Sequence, residues 1–129
     1  MKYYRETLFN RALGRLVTDG GFRAAYLLNA GGLFLAAVSA VVGRQEEFEA
    51  LTVSSASVFA RADAVGLGES YRLTVEYEGG GSIIFDRFKH RGESEDTYLL
   101  AVVAYGIEYD RDALGRAVAE LREVLGLFY

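Results

Sequence analysis

The chain of 129 residues has no cysteine, no proline and a single histidine. Without cysteine there is no disulfide, no thiol nucleophile and no cysteine-ligated metal. Without proline, glycine is the only strong local breaker left. One histidine provides no histidine–carboxylate metal spacing. Basic charge is also short: 14 lysines and arginines face 18 acidic residues, for a net charge of −4. That balance argues against a nucleic-acid partner, which is held by a basic patch or stripe. Twelve of the basic residues are arginine, which reflects genome composition or growth temperature rather than function. There is no internal repeat and no low-complexity tract.

What remains is an ordinary globular composition, 51% hydrophobic and 25% charged, which excludes wholesale disorder. The length suits one domain over residues 1–129 with a real core. The N-terminus, MKYYRETLFNRALGRL, carries charge throughout and lacks an apolar h-region, so it does not read as a secretory signal. The expected location is the cytoplasm.

The stretch from Ala24 to Gly43 has no charge, and its reading organises the rest. As one element it is long enough to span a bilayer, which takes about 20 apolar residues. As two it is a β-hairpin, with strands Phe22–Leu28 and Leu33–Ser39 around Asn29-Ala30-Gly31-Gly32. The hairpin is the better reading. Glycine costs a helix about 1 kcal/mol each and supplies the positive φ of a hairpin turn.

Before the hairpin, Lys2 to about Thr18 has a helical stripe of Leu8, Ala12, Leu13, Leu16 and Val17, closed by Asp19-Gly20-Gly21. After it, Gln45 to about Val65 reads as a helix with two stripes. A bulky one, Phe48, Leu51, Ser55, Phe59 and Ala62, suits a sheet. A small one, Val53, Ser57, Ala60 and Ala64, suits a second helix at close range, and an exposed apolar patch needs a partner. Alternatively, the alanines reflect helix propensity on a wet surface.

Tyr71–Tyr77 alternates apolar with polar residues, as a half-exposed strand does. Gly79-Gly80-Gly81 turns it into Ser82–Phe88. Lys89–Asp96 reads as a charged loop, Tyr98–Tyr105 as a central strand, and Asp110 to about Gly126 as a helix capped by Asp110 or Asp112. Two helices, a hairpin, three further strands and a last helix predict an α+β, three-layer α/β/α sandwich on a five-stranded antiparallel sheet.

Visible chemistry is sparse. His90 falls in the expected charged loop and reads as solvated. The triple glycine lies between strands and lacks the helix N-terminus of a phosphate cradle. Glu46, Glu47 and Glu49 favour a helix dipole. Glu93, Glu95 and Asp96 could meet a cation but suit a solvated loop. Arg44, Arg61, Arg72, Arg87 and Arg91 include no spacing that selects an arginine finger. The residues predict no catalytic site, no metal site and no cofactor.

The pattern G-x-x-x-A-x-L-L-x-x-x-G-x-x-L across Gly21, Ala25, Leu27, Leu28 and Gly32, followed by the small-residue helix and a meander, resembles the roadblock family over nearly the whole chain. The hairpin turn is Ala-Gly-Gly where the family often has Asp-Gly. MglB-like members often extend beyond the last helix; this sequence stops at Tyr129, so a role carried by such a tail is not expected.

The resemblance implies a profilin-like sandwich that forms a homodimer, with second helices side by side and third strands joined edge to edge. The expected interface is Val53, Ser57, Ala60, Arg61 and Ala64 on the helix, with Arg72, Thr74 and Glu76 on the strand. The resemblance also implies docking of a Ras-like small GTPase. The leading expectation is a regulator or co-GTPase module for a GTPase of the MglA type, contributing no arginine finger. A dimeric scaffold without effect on hydrolysis is the alternative. A small-ligand sensor would need convergent polar groups in a cavity, and a membrane anchor would use residues 24–43.

Overall fold

The computed structural model describes residues 2–29, 31–39, 45–91, 95–105 and 109–128. Helix α1 (Lys2–Gly20) leads into β1 (Phe22–Asn29) and β2 (Phe34–Ser39). Then come α2 (Gln45–Asp63), β3 (Arg72–Glu76), β4 (Ser82–Arg91), β5 (Glu95–Ala104) and α3 (Arg111–Phe128). The five strands form one antiparallel sheet in the order β2-β1-β5-β4-β3. This is the expected α+β roadblock, profilin-like sandwich.

The uncharged stretch is a hairpin. Residues 22–29 and 34–39 pair antiparallel, with a register shift between Leu27 and Leu28. At its turn the Asn29 carboxamide oxygen accepts N–H bonds from Gly31 (3.0 Å) and Leu33 (3.1 Å). Gly32 stands at φ 87 with Val53 so close that a Cβ would sit 2.9 Å from its Cγ2. Ala30 lies outside the described residues. Gly21, at φ 73, terminates α1 in the left-handed conformation expected there.

The sheet separates two cores. Leu100 and Val102 of β5 and Ile84 and Phe88 of β4 face α1 and α3, meeting Leu13, Leu16, Leu114 and Leu121. Leu99 and Ala101 of β5 and Ile83 and Phe85 of β4 face the other way, toward Phe48, Leu51 and Phe59 of α2. The near-continuous apolar run of β5 is therefore strict alternation between two dry faces. Asp110 caps α3, its Oδ1 accepting the N–H of Asp112 (2.9 Å) and Ala113 (3.2 Å).

Three expectations need correction. The predicted charged loop is mostly strand: β4 continues to Arg91 and β5 begins at Glu95, with His90 opposite Asp96. Cross-strand neighbours of opposite charge type favour pairing beyond the helix-covered core. Glu93 lies outside the described residues. His90 is accordingly half-buried on a strand, and its buried Nε2 has no hydrogen-bond partner among the described residues. Ala62 is exposed rather than part of the sheet-facing stripe. That stripe instead takes in Thr52, 0% exposed, beside the expected Ser55, 1% exposed. Their hydroxyls donate to Phe48 O (3.0 Å) and Thr52 O (2.6 Å) of their own helix, so burial leaves them satisfied.

Candidate functional site

With its sheet side dry, α2 turns Val53, Ser57, Ala60 and Arg61 outward, and Ala64 follows just beyond its end; all five are exposed. The patch is larger than the sequence reading. Val53 is 51% exposed, Val58 45% and Val65 70%, and Leu67 in the connector to β3 is 92% exposed. Val58 and Leu67 fall outside the small-residue stripe that helical spacing picks out; their signal is valine and leucine where a wet surface takes polar residues.

A polar knot fixes the end of α2. Arg87 on β4 lies over the Phe59 ring, 4.8 Å from its centroid, and its Nη2 donates to Asp63 Oδ2 (2.8 Å) and to the Ser70 carbonyl. Asp63 Oδ1 also accepts from the Ser70 hydroxyl and N–H, both at 2.6 Å. The Ser70 hydroxyl first, then its N–H and Arg87, hold the Asp63 carboxyl down to about 2. The α2–β3 connector is thereby tied to helix and sheet at once.

Beyond the connector, β3 is an edge strand. Its neighbour β4 donates from Arg87 N to Tyr71 O (2.7 Å), and Tyr77 N donates to Gly81 O (2.8 Å). Alternation along the antiparallel ladder then assigns residues 71, 73, 75 and 77 to β4. The backbone groups of Arg72, Thr74 and Glu76 point to the open side. Thr74 and Glu76 are exposed. Arg72 is half-buried, its Nε and Nη2 donating to Asp86 Oδ1 (2.6 Å) and Oδ2 (2.8 Å). That bidentate carboxylate raises the Arg72 pKa, keeping the guanidinium charged.

The eight expected interface residues therefore fall into two groups. Arg72, Thr74 and Glu76 stand in register with Asp86, Ile84 and Ser82, on the sheet face of α1 and α3. The helix group stands on the other side. On β3 the side chains sharing the α2 face are those of Leu73 and Val75, in register with Phe85 and Ile83.

Two grooves accompany these elements. One of about 140 Å³ lies between α1 and α3, over Ala12 and Ala117, where Arg15 pairs with Glu120. The other, about 410 Å³ and open, lies between the hairpin tip at Leu33 and Glu46, Glu49 and Val53 of α2. Among the described residues, no group of three or more histidines and carboxylates could hold a metal ion. Among the same residues, no helix is long and apolar enough to cross a membrane.

A five-stranded antiparallel sheet with α1 and α3 on one face and α2 on the other defines a class of α+β sandwich folds, and solved structures narrow it. MglB, a gliding protein of Thermus thermophilus, superposes with a TM-score of 0.66 at 19% identity, over 93% of this chain and 90% of that one. A Roadblock/LC7 domain from Streptomyces avermitilis gives 0.62 at 18% identity, over 92% and 95%. Myxococcus xanthus MglB gives 0.62 at 15% identity, over 94% and 86%. The chain has the roadblock-family fold. No protein-family model matches its sequence, and no curated protein matches it.

Proposed function

We propose that this chain is a homodimeric regulator of a Ras-like small GTPase of the MglA type, acting as one domain in the cytoplasm. The observation that carries the reading is the outer surface of α2 and its connector. Small residues at 57, 60 and 64 permit close backbone approach, and Val53, Val58 and Val65 supply apolar area that a monomer leaves wet. The roadblock resemblance supplies the partner: a second copy along α2, and a GTPase on the platform the paired helices form. Two arginines that would be candidates for a finger are held inside the chain, Arg72 by Asp86 and Arg87 by Asp63. That takes Arg72 and Arg87 out of the candidates for a finger and leaves the exposed Arg61 on the outer surface of α2.

The test is binding to a Ras-like GTPase from the same genome, loaded with GDP or a non-hydrolysable GTP analogue, followed by turnover. Selective binding of the GTP form with faster hydrolysis is expected. Binding without acceleration would instead assign the protein as a dimeric scaffold. No binding in either state would sink the GTPase reading.

A further inference from the structure

The hairpin tip and the first half of α2 enclose an open groove lined by acidic and apolar side chains. It is about 410 Å³ in volume, with Glu46 and Glu49 on the helix wall, Val53 further along α2, and Leu33 on the hairpin wall. We propose that this groove docks an extended segment of a partner protein with the pattern basic–apolar–basic. The two basic side chains meet Glu46 and Glu49, and the apolar one meets Leu33. Such docking goes beyond the GTPase reading and does not need it; only Val53 is shared with the expected dimer interface.

Two carboxylates at the start of a helix have an ordinary role, which is to offset its positive end. That role does not account for what stands beside them. Leu33 is 63% exposed and Val53 51%, so apolar side chains are held next to acidic ones in water. Among the described residues, no basic side chain lines the groove. A basic side chain with apolar neighbours complements both features at once.

The walls are preformed. The backbone N–H of Asn29 donates to Leu33 O and its carbonyl accepts from Gly32 N, both at 3.0 Å, while its carboxamide holds the N–H of Gly31 and Leu33. Gly32 keeps the floor bare: it stands at φ 87, and a Cβ there would meet Val53 Cγ2 at 2.9 Å. An incoming segment therefore loses little to ordering this surface.

Spacing selects the shape of the occupant. Glu46, Glu49 and Val53 follow helical spacing on one side of α2, with the Cβ atoms of the two glutamates about 5–6 Å apart. Alternate side chains of an extended chain point the same way, about 6.6 Å apart. Basic residues at i and i+2 thus reach both carboxylates, and the residue between them points the opposite way, toward Leu33. Arginine suits the two basic places best, because its fork matches a carboxylate.

The probe is a fluorescein-labelled peptide, Gly-Ser-Leu-Arg-Leu-Arg-Leu-Ser-Gly, compared with a twin carrying glutamate in place of arginine. Fluorescence anisotropy with the full chain is expected to show binding of the basic peptide alone, weakening as salt is added. Replacing both acids, Glu46→Gln with Glu49→Gln, is expected to weaken binding about tenfold or more. Leu33→Ser, a change at an exposed site, is expected to weaken it severalfold. Glu123→Gln, on the exposed side of α3, is expected to leave it unchanged and so controls for the net negative charge. Equal binding of both peptides, no binding of either, or full binding by the double variant would overturn the proposal. It would also fall if Leu33→Ser changed the sedimenting species and not peptide binding, since the groove would then be a contact between copies. None of these readouts involves a GTPase, so either reading can fail alone.

Discussion

Phe59 is the residue by which α2 is seated, and its removal is the sharpest test of the two-core description. Its ring is 1% exposed, packed in the cluster of Leu28, Ile83, Phe85, Leu99 and Ala101, with the Arg87 guanidinium above it. Phe59→Ala deletes the ring and leaves a cavity against a sheet that relaxes little, a change that costs about 3–5 kcal/mol. The lost arginine–ring contact adds about 0.5–1 kcal/mol. Against a total stability of about 5–15 kcal/mol for a domain, the variant should remain folded but melt roughly 10–20 °C lower. Urea unfolding followed by circular dichroism, at one protein concentration because association would shift the midpoint, gives the difference. A cycle with Arg87→Met should recover a coupling of about 0.5–1 kcal/mol. Leu114→Ala, in the core on the far side of the sheet, should be additive with Phe59→Ala within about 0.5 kcal/mol. A cost below about 1.5 kcal/mol for Phe59→Ala, with no coupling to Arg87, would refute the claim that this contact seats the helix.

Two further predictions concern α2 itself. Ala60→Arg places a long charged side chain on the exposed stripe and should yield monomer or aggregate in sedimentation; a clean dimer would remove α2 from the interface. Asp63 bears on acid stability. Its folded pKa of about 2 lies below the ordinary carboxyl value of 3.8, so its contribution is full above that value and fades as pH falls toward 2. The gap in urea midpoint between wild type and Asp63→Asn should therefore be wide at pH 7 and shrink between pH 4 and pH 2. A gap unchanged over that range would contradict the Ser70–Asp63–Arg87 knot.

The fold is legible wherever one local signal dominates. The uncharged stretch announces a hairpin because Asn29 and the glycines break it at mid-length, and the structure turns there. The last helix is legible from Asp110 and the spacing of Leu114, Ala117, Leu121 and Leu125, all buried. The segment around His90 is not. Local sequence favours a loop there, since KHRGESED is charged and holds a glycine. The strands persist because β4 and β5 are already in register from Ser82 and Ala104 inward, and each added pair extends an existing ladder. Pairing of that kind is a property of two distant segments, which a local reading does not see.

The candidate surface is half legible for a related reason. Helical spacing gathers Val53, Ser57, Ala60 and Ala64 correctly onto one exposed side, because a helix face is a local property. On the inner side the expected stripe holds at Ser55 and Phe59 but omits Thr52, because threonine reads as wet. Thr52 and Ser55 are dry, with hydroxyls bonded to carbonyls of their own helix. Beside them Phe48, Leu51 and Phe59 supply the bulk that packs α2 on the sheet face of Phe85, Leu99 and Ala101. The outer side is the narrow one, where Ser57, Ala60 and Ala64 leave room for a second backbone. A helix bulky toward the sheet and narrow on its outer side suits a middle layer, with a sheet beneath and another helix alongside. That is the position the proposed dimer gives it.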